Sequence, residues 1–408
     1  MDINLPLPLL AGMTPAQFMR RHWQKKPLLV RAALPGFEPL LSRIELQALA
    51  SQQDVESRLI VQGKSGWRMT SGPFAPRAIP PMSQPGWTLL VQGVDGHDAQ
   101  CHALLQQFRF VPDARLDDLM ISMASPSGGV GPHFDSYDVF LLQASGQRRW
   151  RIGQQKDLSL QSGVPLKILQ NFAPEEEFVL NAGDMLYLPP RYAHDGVALA
   201  SVDAKGKAQD CMTYSIGFRA PAKLALAAEL MHRLAEFSED AVEDAAEQQS
   251  AVAFQKPIKK SGKNSLYRDP TQMASSTPAA LPGALLAFAT EAVMQALQDP
   301  LAIACALGEV MTELKPGVWF DEPATSPGVD DWRSGLRLDV KTRMMYDTHH
   351  IFINGDSYRA KGADATLMQL LADQRALSGT ALNKISRDAS ELLADWRAAG
   401  WLHGAPEA

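Results

Sequence analysis

Three side chains in this sequence have the types and the spacing of a metal-binding triad. His133 and Asp135 form a His-x-Asp step inside Gly128-Gly129-Val130-Gly131-Pro132-His133-Phe134-Asp135-Ser136-Tyr137, and the run 137–142 that follows is strand-like. Glycines and a proline let a loop present the pair, and extended backbone turns residues two apart to the same side. A second histidine, His194, stands in Leu188-Pro189-Pro190-Arg191-Tyr192-Ala193-His194-Asp195-Gly196. Two imidazoles and one carboxylate on one face of a metal leave its other positions open, which is the ligand set of non-haem Fe(II) oxygenases.

A bare His-x-acid step decides little. With 9 His and 45 Asp+Glu among 408 residues, about one arises by chance. The setting carries the weight. Arg148 lies in Gly146-Gln147-Arg148-Arg149-Trp150-Arg151-Ile152, which reads as the return strand of a hairpin, with Arg149 pointing the opposite way into solvent. Residues 181–189 read as a turn, a strand and then a loop delivering His194. The strand over 117–124 that feeds the central loop alternates: Leu119, Ile121 and Met123 share one face, and Asp118, Met120 and Ser122 share the other. The second set is a poor core and suits the cavity side of a small jelly-roll barrel, although Asp118 alone also fits a strand-edge charge. Residues 211–218 form a closing strand with Thr213 and Ser215 on one face, and 201–210 before it read as a polar hairpin loop.

Together these segments resemble the Jumonji-C (JmjC) oxygenases of the cupin superfamily, whose motif is His-x-Asp, a distal His and a basic residue that grips 2-oxoglutarate. The string Trp23-Gln24-Lys25-Lys26-Pro27-Leu28-Leu29-Val30-Arg31 narrows the resemblance to the bacterial JmjC ribosomal oxygenases. It covers essentially the whole chain; the departures are longer loops at 201–210 and 251–265, which bear on substrate approach. The resemblance implies Fe(II) held by His133, Asp135 and His194, with 2-oxoglutarate and dioxygen as cosubstrates. Arg148 is the candidate for the distal carboxylate, because a guanidinium fork matches a carboxylate bidentately and stays charged when buried. Ser122 adds a hydroxyl to the cosubstrate, and Tyr137 lines the pocket from the metal-facing side of its strand. The implied substrate is an arginine of a large-subunit ribosomal protein, for which Asp118 on the cavity face is the natural partner. Histidine hydroxylation and lysine demethylation stay open, as does a non-enzymatic cupin-like binding or regulatory role. A cupin of isomerase type would want further histidines around a His-x-His step, and none is present.

Stepping out from the site, 46% hydrophobic and 21% charged residues describe an ordinary globular composition. A net charge of −6 argues against a general nucleic-acid binder. Cys101, Cys211 and Cys305 are far apart with no Cys-x-x-Cys, so neither a disulfide framework nor a structural zinc site is written here. No signal peptide opens the chain and no run has the length of a membrane span, so a cytoplasmic, membrane-free protein is expected.

The fold expectation is α+β. It comprises a double-stranded β-helix (jelly-roll, cupin-like JmjC) catalytic domain over 1–221, a helical region over 222–314 and a winged-helix-like domain over 315–408. Thr14-Pro15-Ala16-Gln17 starts a helix with a capping box and a proline in the first turn. Further helices are expected over 40–50 and 97–110, strands over 28–31, 58–61 and 87–92, and a coil-rich cover up to residue 85. After Pro221, alanine-rich helices over 222–237, 281–297 and 301–314 carry leucine stripes that suit either a bundle or a dimer seam. The resemblance favours a homodimer. Lys259, Lys260 and Lys263 lie in a stretch read as a solvated linker. Near the end, Asn354-Gly355 signals a hairpin. Residues 306–408 hold 11 Lys and Arg against 15 Asp and Glu, the wrong sign for direct DNA binding, so this domain reads as a protein-contact module. His349 and His350 read as a surface pair.

Overall fold

The computed structural model describes residues 2–64, 66–202, 206, 208–247, 281–297, 300–321, 334–383 and 385–405. The excursion expected at 251–265 and its lysines lie outside the described residues, as does part of that at 201–210. By packing, the chain divides into two compact units, Met1–Ala220 and Pro221–Ala408.

The first unit runs α1 (Pro15–Arg21), β1 (Leu28–Val30), α2 (Arg43–Leu49), β2 (Ser57–Gly63), β3 (Gly66–Ser71), β4 (Trp87–Val91), α3 (Ala99–Gln106) and β5 (Leu116–Ala124). It continues with β6 (Val139–Ser145), β7 (Gln147–Gly153), β8 (Glu176–Leu180), β9 (Met185–Leu188), β10 (Ala193–Leu199) and β11 (Cys211–Phe218). Thr14 and Gln17 close the expected capping box, Thr14 Oγ1 accepting from Gln17 N at 3.1 Å and Gln17 Oε1 from Thr14 N at 3.0 Å. The strands build two antiparallel sheets, one ordered β1-β9-β6-β11-β5-β4-β2-β3 and one ordered β10-β7-β8. This is the expected jelly-roll sandwich.

The alternation on β5 allots the two faces as the sequence suggests. Leu119, Ile121 and Met123 are buried in a core shared with Phe18 of α1, Leu46 of α2 and Leu104 and Leu105 of α3. The helices therefore cover the outside of the large sheet. Asp118, Met120 and Ser122 face inward, where Ser122 pairs with Thr213 and Met120 with Ser215. At the β6–β9 side the gap between the sheets is dry, filled by Val139, Leu141, Trp150, Ile152, Leu186 and Leu188. Burial of such side chains contributes about 1.5–3 kcal/mol each, so this wedge holds the small sheet onto the large one. Aromatic rings tie the N-terminal segment to the barrel: Phe18 meets Tyr187 edge-on at 5.0 Å, and Trp23 stacks on Tyr187 at 6.0 Å.

Four local expectations change. The strand expected from Tyr137 begins at Val139, and Tyr137 sits in a bend. Segment 146–152 is not the return strand of a hairpin, because β6 belongs to the large sheet and β7 to the small one. The chain crosses between them at Gly146 (φ 64), where a Cβ would stand 2.9 Å from Asp210 O and 3.0 Å from Cys211 Cα; only glycine makes that turn. His194 comes from the second residue of β10 rather than from a loop. Finally, β3 falls in the stretch expected to cover the barrel's face and β8 in a stretch for which no element was read; both are edge strands with many polar, exposed residues that blur the alternation.

The second unit holds α4 (Lys223–Glu247), α5 (Gly283–Leu297), α6 (Pro300–Thr312), β12 (Leu336–Leu338), β13 (Met344–Tyr346), β14 (Ile351–Ile353) and β15 (Asp356–Tyr358). Then come α7 (Gly362–Gln374), β16 (Ala376–Leu377), α8 (Gly379–Leu382), α9 (Arg387–Ala398) and β17 (Leu402–Gly404). Asn354 (φ 50) and Gly355 (φ 95) make the β14–β15 turn, the left-handed pair a two-residue hairpin needs. Ile353, Met368, Leu371, Leu393 and Trp396 centre its core. On α6, Gly308 lets the Phe352 ring approach and Glu309 accepts from Ser357 Oγ at 2.6 Å. His350 is buried, with Nδ1 3.1 Å from Asp347 Oδ2, so the expected surface pair reduces to His349 alone. Among the described residues no helix is long and apolar enough to cross a membrane.

Candidate metal centre

The loop between β5 and β6 is sewn to β10 by backbone hydrogen bonds. Ser127 N donates to Ala198 O and Ala198 N to Gly128 O, both at 2.9 Å. His133 N donates to His194 O at 2.9 Å, His194 N returns one to His133 O at 2.8 Å, and Arg191 N donates to Asp135 O at 2.7 Å. The segments therefore run so close that a Cβ on Gly129 would sit 2.6 Å from Gly196 O. That approach is why the loop is glycine-rich. Arg191, missed in the sequence, takes φ 63 to aim its N–H at Asp135, and its guanidinium lies over the Phe134 ring at 5.9 Å.

Each histidine is oriented by a carbonyl two residues before it. His133 Nδ1 lies 2.8 Å from Gly131 O, and His194 Nδ1 lies 2.9 Å from Tyr192 O. A carbonyl only accepts, so each Nδ1 carries the proton and each Nε2 keeps its lone pair for a metal. The two rings are 4.2 Å apart, and His194 Nε2 stands 3.6 Å from Asp135 Oδ2. One ligand atom from each of His133, Asp135 and His194 falls within 4.8 Å of the others. Burial, then the neighbouring His133, pushes the His194 imidazole down to about 4, against the pull of Asp135; it is neutral, as a ligand must be.

Arg148 points into the sandwich from β7, level with Ala198 of β10 and Leu180 of β8. It is 3% exposed, and its Nε and Nη2 are buried with no acceptor among the described residues. Its guanidinium lies 5.8 Å from the Trp150 ring. Leaving a buried cation unpaired costs several kcal/mol, a cost that an anion seated against Arg148 would offset. Arg149 is half-buried rather than solvent-facing. Ser122 is buried with Oγ donating to Thr213 O at 3.3 Å. The sequence also hid Gln143 in an apolar run; it receives the Thr213 hydroxyl at 2.9 Å and donates to Ser145 O at 2.7 Å. Asp118 is buried on the same inner face of β5. Tyr137 is 39% exposed as a residue, but its hydroxyl is turned inward toward Asp135. Burial of that hydroxyl, and then the Asp135, Asp118 and Asp117 carboxylates, raise its pKa.

This geometry coincides with a known family signature. Residues 103–226, which contain the triad, Arg148, Ser122, Asp118 and Tyr137, match the model of the JmjC domain. Residues 103–226 thus carry a JmjC domain. Residues 295–403 match the ROXA-like winged helix, so the JmjC domain is followed by a second recognised module. Over 207 residues the chain is 40% identical to the ribosomal protein uL16 3-hydroxylase of Escherichia coli, covering 50% of this chain and 52% of that protein. The matched stretch thus spans about half the length of the curated relative. The crystal structure of Escherichia coli YcfD superposes with a TM-score of 0.77 at 27% identity, covering 95% of this chain and 97% of that one. The structure of YcfD, a ribosomal oxygenase, in complex with cobalt and 2-oxoglutarate gives 0.74 at 27% identity, covering 96% and 98%. The JmjC assignment and the pocket geometry therefore point to the same face of the barrel.

Proposed function

We propose that this JmjC protein is an Fe(II)- and 2-oxoglutarate-dependent hydroxylase acting on an arginine side chain of a large-subunit ribosomal protein. The carrying observation is a preorganised His133–Asp135–His194 triad together with Arg148, whose Nε and Nη2 are buried without an acceptor, on the same inner face of the small sheet as His194. The residues fit the groups: two neutral imidazoles and one carboxylate suit a divalent first-row ion, and an orphaned guanidinium suits the far carboxylate of a dicarboxylic acid. When bound, iron with 2-oxoglutarate and dioxygen supplies oxidative hydroxylation of an unactivated carbon, releasing succinate and carbon dioxide.

The chain's own residues do the rest. His133 and His194 present Nε2 because Gly131 O and Tyr192 O hold their Nδ1 protons. Arg148 anchors the cosubstrate at depth and fixes its reach toward the triad, with Ser122 on the opposite inner face. The dry wedge around Trp150 and Ile152 excludes water from one flank. Asp118 and the Tyr137 hydroxyl form an anionic, hydrogen-bonding wall beside the triad, which suits a guanidinium better than a neutral imidazole. A relative named for uL16 hydroxylation supports the substrate class. Self-association through the helices of the second unit belongs to the same proposal, supported by Leu286, Val293, Met294 and Leu297 exposed along α5.

The test is incubation of the full chain with Fe(II), 2-oxoglutarate and the organism's own large-subunit ribosomal proteins, followed by tandem mass spectrometry. Gain of one oxygen on an arginine with stoichiometric succinate is the expected result. Oxygen on histidine, or loss of a methyl group from lysine, would replace the arginine assignment. No oxygen-dependent succinate at all would remove the oxygenase reading.

A further inference from the structure

Asp138 closes the metal loop, and it is 0% exposed. A carboxylate shut off from water has to be paired, and Asp138 draws its partners from three distant segments. Tyr187 Oη of β9 donates to Oδ1 at 2.6 Å, and Gln24 Nε2, from the turn after α1, donates to Oδ2 at 3.0 Å. Arg115 Nη2, just before β5, reaches Oδ2 at 3.5 Å.

These partners are themselves interlocked. Gln24, in the left-handed region at φ 54, donates its N–H to Tyr187 Oη at 2.8 Å. The Trp23 ring stacks on Tyr187, and the Arg115 guanidinium lies 5.6 Å from the Trp23 centroid. Arg115 Nε also donates to Arg219 O at 2.5 Å, while Phe218 N donates to Asp138 O at 3.1 Å. The Trp23-Gln24 step, which the metal chemistry does not use, thus ends in the loop that carries His133 and Asp135.

Two of the joined segments bear the substrate-facing wall. Tyr137 is the neighbour of Asp138, and Asp118 lies three positions beyond Arg115. His133, His194 and Arg148, by contrast, take their support from β10 and the small sheet, while Asp135 is tied to Arg191 N and to the Tyr137 hydroxyl. We propose that Asp138 is a positioning residue: its buried node with Tyr187, Gln24 and Arg115 holds Tyr137 against Asp118 and so sets the seat of the substrate side chain. The inference rests on the protein-hydroxylase reading of this pocket for its catalytic consequence, though not for its structural one.

Two measurements on full-length Asp138→Asn decide it, and both must agree. Amide hydrogen exchange should quicken in 115–120 and in 134–139; unchanged exchange in these segments overturns the node whatever the activity. The KM for an arginine-containing ribosomal-protein peptide should rise about tenfold while that for 2-oxoglutarate moves less than about twofold. Equal rises in both, or a fall in kcat with the peptide KM unchanged, overturn the positioning role. If the wild-type chain hydroxylates no such peptide, the functional reading fails, and exchange in 134–139 alone decides whether Asp138 holds Tyr137. Should Asp138→Asn not fold, Tyr187→Phe removes the shortest bond of the node while keeping the ring, and the same two outcomes apply to it.

Discussion

Gly131 and Tyr192 each lend a carbonyl to the histidine two positions on, so the tautomer of both imidazoles is decided before any metal arrives. Asp135 is the charged member of the triad, and Asp135→Ala should abolish succinate formation and weaken cobalt(II) binding while leaving thermal stability within about 1 kcal/mol. Wild-type turnover in that variant would remove the metal assignment. His194, depressed to about 4 by burial, stays neutral in the folded protein where an unfolded histidine, near 6.5, is protonated. As pH falls from about 6.5 toward 4 the unfolded state binds more protons, so the metal-free fold should lose up to about 3 kcal/mol on this account. Chemical denaturation at stepped pH checks it, and His194→Asn should flatten the slope. Arg148→Ala should weaken 2-oxoglutarate binding, with and without substrate, by about 2–5 kcal/mol, or roughly thirty- to several-thousand-fold. Asp118→Ala should leave that affinity in place and depress hydroxylation of an arginine peptide. Cosubstrate titrations of both variants, with peptide assays at saturating 2-oxoglutarate, distinguish the two roles.

At the level of elements, the site depends on a crossing rather than a hairpin. The apolar run 139–145 and the arginine-rich run 147–153 look in sequence like two arms of one turn. They go to opposite sheets through Gly146, whose position beside Asp210 O and Cys211 Cα leaves no room for a Cβ. That crowding is a tertiary fact with no local signature. Other elements were legible. The Thr14–Gln17 box, the split faces of 116–124 and the Asn354-Gly355 turn all depend on neighbours in the chain, and each appears where periodicity or turn chemistry puts it. The convergence of His133, Asp135 and His194 was readable from motif spacing, but the strand origin of His194 was not, since two prolines precede it and read as loop. Edge strand β3 escaped for lack of a buried face, and β8 because only Phe178 and Leu180 of its five residues turn to the core. For α5, whose apolar residues stand in solvent at helical spacing, Leu286→Glu with Met294→Glu in the full chain should shift sedimentation to a smaller species. An unchanged sedimentation coefficient would count against this helix as the seam.

For the molecule as a whole, a net charge of −6 suits a basic protein substrate, because complementary charge speeds encounter more than it tightens the final complex. The Debye length falls from about 10 Å at 0.1 M salt to about 3 Å at 1 M. The KM for intact ribosomal protein should therefore climb several-fold over that range, whereas 2-oxoglutarate turnover without protein substrate should barely respond. A flat KM would mean that recognition is confined to the pocket. The prearranged imidazoles have one more consequence, for supply of the metal. A socket whose lone pairs already converge ranks divalent ions by the intrinsic order of nitrogen and oxygen ligands, in which copper and nickel stand above iron(II). The identity of a bound ion would then follow what the surrounding metal pool makes available as well as the order of affinities.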